Sequence, residues 1–185
     1  MSLVYNSQNP SIRWALSRLN ENAGLINVNI DAIIGGSGST APNANLEKAV
    51  KWAIAKANTG AVQYSQSNRN LGNPNAWSYD CSSFILTALQ YAGFSTGGAT
   101  TTRDMVSKLT ANGWVWHTSG GARIPASNLQ RGDILIVQFG ANGHTQMYIG
   151  NNQDVNCGGT PANIVTHQDT NWGRGAWDGF LRYGA

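Results

Sequence analysis

Cys81 opens the run Cys81-Ser82-Ser83-Phe84 directly after Tyr79-Asp80, and His144 opens His144-Thr145-Gln146-Met147-Tyr148-Ile149 well downstream. A thiol at a helix start and an imidazole at a strand start are a nucleophile and its base. A free cysteine is only a few per cent thiolate near neutral pH, so attack on a carbonyl needs a base or a depressed pKa. An imidazole beside the sulfur takes the proton and later returns it to a leaving amine. The pair needs a third polar group to accept from the other ring nitrogen and fix the tautomer. It also needs donors aimed at the developing oxyanion. The commoner fate of a lone cysteine is burial in a core, and the His144 segment is what lifts Cys81 above that reading.

Asp80 suits an N-cap, because its carboxylate can accept from the orphan amides of a first helical turn. Phe84, Ile85, Ala88, Leu89 and Ala92 then recur at helical spacing, and Gly93 suits the C-cap. A thiol in that first turn meets the positive end of the helix dipole, which favours thiolate. Leu46, Ala49, Val50, Ala53, Ile54 and Ala57 mark a helix over 45–58 that Gly60 ends. Met105, Val106 and Leu109 mark another over 102–111, before Asn112-Gly113. From Trp114 the pattern turns β-like, with strands predicted at 114–117, 134–139, 145–149, 154–157, 164–167 and 180–183. Helices first and an antiparallel sheet afterwards make the fold class α+β.

Near the N-terminus, Asn9-Pro10 reads as a cap and first helical position, followed by the short apolar face Ile12, Ala15, Leu16 and Leu19. Residues 25–34 are apolar and β-rich, a strand or a tail that docks on a partner. Gly35-Gly36-Ser37-Gly38-Ser39-Thr40 is a linker signal. The expected organisation is an appendage with linker over 1–43 and a catalytic domain over 44–185. The 185 residues suit one adequate core with such an appendage. A formal charge of +3 with no Lys/Arg run argues against nucleic acid as partner. No run of about eighteen apolar residues exists to span a membrane, and the first residues lack the basic and apolar parts of a secretion signal. A disulfide between Cys81 and Cys157 would consume the nucleophile, so free thiols are expected. The three histidines are scattered and no paired Cys-x-x-Cys occurs, so no zinc site is expected; amide hydrolysis by a thiol and an imidazole needs no metal or organic cofactor.

Residues 60–183 resemble the NlpC-type cell-wall peptidases, a papain-like superfamily, and particularly the phage lysin amidases of that group. The matching pieces stand in family order. Val62-Gln63-Tyr64-Ser65 resembles the upstream tyrosine segment and Tyr79-Asp80-Cys81-Ser82-Ser83 the nucleophile motif, with Ser83 where glycine is commoner. Leu129-Gln130-Arg131-Gly132-Asp133-Ile134-Leu135 is similar to the Gly-Asp strand opening. Gly143 to Gly150 resembles the base strand, and Phe180-Leu181-Arg182-Tyr183 the closing strand. The resemblance implies a papain-like NlpC-type fold, with the nucleophile helix packed on an antiparallel sheet. It also implies an amide-cleaving peptidoglycan hydrolase, either an N-acetylmuramoyl-L-alanine amidase or a stem-peptide endopeptidase, with bacterial cell-wall peptidoglycan as partner.

By the same resemblance Cys81 is the nucleophile, His144 the base and Asn156 the third member, with His167 a rival for that position. Tyr64 is expected beside the nucleophile at the oxyanion, and Asp80, mainly a cap, joins it as a substrate-positioning residue. The Cys81 amide is a further oxyanion donor. A plain two-residue turn at Asn151-Asn152 would set Asn156 opposite Met147, on the face away from His144. The triad therefore requires a bulge or longer turn near 150–153. His117 matches nothing and is read as structural. Trp77, Trp114, Trp116, Trp172 and Trp177 are candidates to line a groove. The missing signal suggests release by phage lysis or a place in a virion, and residues 1–43 could dock on other virion or lysin subunits. Two competing readings are an acyltransferase or deamidase on the same scaffold and a non-catalytic virion module that binds the wall.

Overall fold

Asn43 caps the first helix of the computed structural model, which describes residues 41–138, 143–171 and 175–184. Its Oδ1 accepts from the amides of Asn45 and Leu46 at 2.8 and 3.3 Å, and helix α1 runs Ala44–Asn58. All six apolar positions expected from the spacing are buried, with Trp52 in addition. Helix α2 spans Cys81–Ala92 and is almost wholly buried, ending at Gly93 with φ 96°. That left-handed conformation admits glycine most readily. Helix α3 spans Thr102–Thr110 and buries Met105 and Leu109. Trp52 joins α1 to α2 through ring contacts with Phe84 and Tyr91 at 5.4 and 6.2 Å, and meets Tyr79, just before α2, at 6.0 Å.

A parallel pair of two-residue strands, β1 (Gln63–Tyr64) and β2 (Ser78–Tyr79), precedes α2. The main sheet contains β3 (Trp114–Thr118), β4 (Ile134–Val137), β5 (His144–Gly150), β6 (Gln153–Asn156), β7 (Asn163–Thr166) and β10 (Gly179–Tyr183). Its spatial order is β3-β10-β4-β5-β6-β7, antiparallel throughout. Two short strands, β8 (Thr170–Asn171) and β9 (Gly175–Ala176), form a separate antiparallel pair. The fold is α+β, as the order of sequence patterns implies. Phe139 of the expected 134–139 strand lies outside the described residues, as do the features read over 1–40 and Trp172. The remaining boundaries differ from the expected ones by one residue at most, the ordinary fraying of strand ends.

The sheet has two different faces. Ile134, Ile136, Met147, Ile149, Val155 and Leu181 belong to the core shared with α1 and α2. Leu135, Val137, Tyr148 and Phe180 face a smaller cluster with Ile124, Leu129 and Trp177. This alternation is the period-2 pattern of strands covered on both sides. Arg131 links α1 to the entry of β4: its Nε and Nη2 donate to the Glu47 carboxylate at 2.8 and 2.9 Å, and its Nη1 to the Ile149 carbonyl. Burial works to raise the Glu47 carboxyl, but Arg131, the Ala41 amide and Lys51 outweigh it and hold the group below its usual range.

The hairpin between β5 and β6 resolves the parity problem at Asn156. Asn151 and Asn152 do form a two-residue turn, with φ of 53° and 58°. The register then shifts between Tyr148 and Gly150, so Tyr148 pairs with Asp154 and Met147 with Val155. Ile149 is the extra residue of a bulge. The expected irregularity is present, and it brings Asp154 and Asn156 to the His144 face of the sheet.

Candidate active site

The start of α2 is fixed before any chemistry is considered. The Asp80 Oδ1 accepts from the Ser83 amide at 2.7 Å, and the Ser83 hydroxyl accepts from the Asp80 amide at 2.9 Å, a reciprocal cap. Asp80 Oδ1 also accepts from the Ser82 hydroxyl at 3.0 Å, and Oδ2 from Arg69 Nη1 at 3.0 Å. Asp80 thus locks the turn that carries Cys81. These bonds to Ser83, Ser82 and Arg69 engage both oxygens of its carboxylate.

Cys81 is 8% exposed, and its Sγ stands 4.0 Å from the carbonyl oxygen of Gly143, the residue before His144. A methyl group on Gly143 would collide with Thr102 Oγ1 and come within 3.0 Å of the Val137 carbonyl. The missing side chain therefore lets the start of β5 close against α3 and β4. The helix dipole alone predicts a lowered thiol pKa, yet the Cys81 thiol is pushed up to about 11. Burial is the largest cause and the Asp80 carboxylate adds to it; the amides of Thr145, Ser82 and Cys81 work the other way. Desolvation wins here, and the resting sulfur keeps its proton.

His144, Cys81, Tyr64 and Asn156 line one groove of ≈ 870 Å³. The His144 ring stacks on Trp177 at 6.1 Å, and the Trp177 indole N–H is held by the Gln168 carbonyl at 3.0 Å. Asn156 Oδ1 accepts from the Gly158 amide at 2.8 Å, while its Nδ2 donates to Asn163 Oδ1 at 3.3 Å. A methyl group on Gly158 would stand 2.8 Å from Asn156 Oδ1 and 3.0 Å from His144 Cε1. Gly158 thus allows the imidazole and the carboxamide to close on the same point. Sequence reading missed it, because a Gly-Gly pair after a strand signals only a turn.

Tyr64 projects from β1, and its hydroxyl accepts from Gln66 Nε2 at 3.0 Å. With that lone pair used, the phenolic proton is available to a groove ligand. Burial raises its pKa, and the nearby Cys81 and Asp80 push the same way, so the phenol stays a donor.

His167, the rival third residue, is engaged elsewhere. Its Nδ1 faces Asp154 Oδ2 at 2.7 Å and its Nε2 faces the Ile124 carbonyl at 2.8 Å. Burial raises the Asp154 carboxyl and works to lower the imidazole, whereas Asp154 pulls the imidazole up. The rise at His167 is the firmer, because each ring nitrogen faces an acceptor. Gln146 Nε2 completes the cluster by donating to Asp154 Oδ2 at 2.7 Å.

The other sequence candidates separate cleanly. Trp177 is in the groove, Trp114 and Trp116 pack at the core, and Trp77 is 51% exposed under Lys56 Nζ at 4.0 Å. His117 stacks on Phe180 at 4.7 Å. Both cysteines are free thiols. Cys157 is fully buried with its Sγ 3.5 Å from the Tyr79 carbonyl, and its thiol is pushed up to about 12, chiefly by burial. Among the described residues no helix is long and apolar enough to cross a membrane.

Residues 45–179 match the sequence pattern of a family described as bacteriophage peptidoglycan hydrolase. A lysin of Pneumococcus phage Dp-1 is 34% identical over 135 residues, which are 69% of this chain and 42% of the lysin. Peptidoglycan DL-endopeptidase CwlO of Bacillus licheniformis is 29% identical over 105 residues, 56% of this chain and 21% of that protein. The chain thus spans less than half the length of these two relatives. Among solved structures, NlpC1 and NlpC2 from Trichomonas vaginalis superpose with a TM-score of 0.51 each, at 18% and 17% identity. They cover 79% and 78% of this chain, and 46% and 48% of their own. The fold is the NlpC-type arrangement that the ordered motifs resemble.

Proposed function

The chain belongs to the bacteriophage peptidoglycan hydrolase family, and on that premise we propose that it breaks a cell-wall amide bond by cysteine–histidine chemistry. The observation that carries the reading is the meeting of Cys81, His144, Asn156 and Tyr64 in one groove. As Cys81 sulfur attacks the carbonyl carbon, its proton passes to His144. The oxyanion takes hydrogen bonds from the Cys81 amide and the Tyr64 hydroxyl; loss of one such donor costs about 10²–10³ in rate in other enzymes. The carbon–nitrogen bond then breaks, and His144 returns the proton to the departing amine. His144 next takes a proton from water, whose oxygen attacks the thioester and releases a carboxylic acid and the Cys81 thiol. Asn156 steadies the imidazole, as the carboxamide of papain-like triads does.

The bond is the N-acetylmuramoyl-L-alanine amide or an amide within the stem peptide. The lysin relative favours a phage enzyme, and the endopeptidase relative keeps the second bond in play. We assign the catalytic domain to residues 44–185, and propose that residues 1–43 dock on other lysin or virion subunits for release at lysis or for entry. Mass spectrometry of fragments released from purified Gram-positive walls tests the reading. New N-terminal alanine marks the amidase, and a new amine inside the stem marks the endopeptidase. Intact walls beside deamidated or transamidated protein glutamines would transfer the site to the acyltransferase or deamidase reading. The raised Cys81 thiol is the observation on the side of a non-catalytic binding module, which would retain wall binding and release no fragment.

A further inference from the structure

Beyond the reacting residues the groove is walled by carboxamides and hydroxyls, among them Gln66, Gln146, Asn163, Thr166, Gln168 and Thr170. Gln146 differs from the others because its orientation is imposed from beneath. It is 6% exposed, and its Nε2 donates to Asp154 Oδ2 at 2.7 Å. The same oxygen faces His167 Nδ1 at 2.7 Å, and the Ile124 carbonyl holds His167 Nε2 at 2.8 Å. A carboxylate accepts only, so the NH₂ end of the carboxamide must face Asp154 and the carbonyl end is turned away from it. The side chains of Asp154 and His167 are 0% exposed. They lie under the groove and orient Gln146 without meeting a ligand themselves.

Resting on the hydrolase reading above, we infer that Gln146 is a specificity-determining residue: its carbonyl oxygen accepts from an uncharged amide N–H of the stem peptide and discriminates against a free carboxylate there. The reach fits. Gln146 follows His144 by two positions on the same face of β5, about 6.6 Å at roughly 3.3 Å per residue. That is about two residues of extended peptide. The second stem residue, which bears either a carboxamide or a carboxylate on its α-carbon, falls within that reach for both candidate bonds. A carboxamide there donates to Gln146. A carboxylate meets an oxygen that has no proton to give, and leaves both groups unpaired as the groove closes on the substrate. Asp154 and His167 are positioning residues for this readout.

The test uses the full chain and two soluble muropeptides that differ only in that carboxamide or carboxylate. Wild type is expected to favour the carboxamide by about tenfold or more in kcat/KM, the worth of one hydrogen bond, expressed mainly in KM. Gln146→Leu removes the preference. Asp154→Asn lets the Gln146 amide turn over and reduces the preference, a change in ratio that general loosening of the fold would not produce. Thermal melting checks that both variants fold, and the wild-type ratio decides the matter if they do not. Equal cleavage of the two fragments by wild type, or an undiminished preference in folded Gln146→Leu, overturns the inference and leaves the hydrolase reading standing. Cleavage of neither fragment by wild type overturns both.

Discussion

The Cys81 thiol is pushed up to about 11 by burial and the Asp80 carboxylate, so the proposed mechanism has His144 take the proton as the bond forms. Labelling of Cys81 by iodoacetamide is therefore expected to be slow at pH 7 and to climb toward about pH 11. A plateau already reached below pH 7 would instead reveal a standing thiolate–imidazolium pair. Gly158→Ala should lower kcat by about 10²-fold, the typical consequence of a misplacement of about 1 Å near reacting groups. Wall clearing by the purified variant checks this, and a rate equal to wild type would remove Gly158 from the site. Cys81 and His144 stood out as candidates in the sequence because their motifs are local: a cap before a helix, a glycine before a strand. Gly158 and Gln146 were not, because their meaning depends on which residues the sheet register sets beside them.

The helices α1, α2 and α3 were legible from their 3.6-residue spacing, as were the six described strands of the main sheet from their apolar content. The bulge at Ile149 was legible only as a requirement, since strand parity put Asn156 on the wrong face without it. The paired strands β1 and β2, of two residues each, are too short to carry a period. The Arg131–Glu47 pair was invisible for another reason, because its partners come from α1 and from the loop before β4. Glu47→Gln leaves Arg131, 6% exposed in its side chain, without its charge partner, and should cost about 3 kcal/mol in denaturant unfolding. Glu47 has a depressed folded pKa, so its contribution is present above the unfolded carboxylate value and lost as pH falls through the folded one. The acid limb of the wild-type stability profile should flatten in Glu47→Gln. The Asp154–His167 pair has the opposite sign. Its raised imidazole contributes stability below the ordinary histidine value of about 6.5, lost as pH rises through the folded one. His167→Gln should remove that alkaline loss.

The residues from Ala41 onward lie within one unit, Ser39–Ala185, in which α1 and α2 cover one face of the sheet and the groove draws on the other. The Ala41 amide donates to Glu47 Oε2 at 2.9 Å, so a fragment beginning at Ala41 keeps that bond to α1. Such a fragment is expected to melt cooperatively and to cleave soluble muropeptides at the wild-type rate, while losing any partner that residues 1–40 hold. Failure to fold would place those residues inside the catalytic domain.

The most direct measurement is clearing of purified Gram-positive walls by wild type and by Cys81→Ala, with folding of the variant verified by its melting transition. Clearing by wild type alone, with loss of at least about 10³-fold in the variant, is the expected result. Clearing by folded Cys81→Ala at a rate near that of wild type would contradict a cysteine nucleophile and the mechanism built on it.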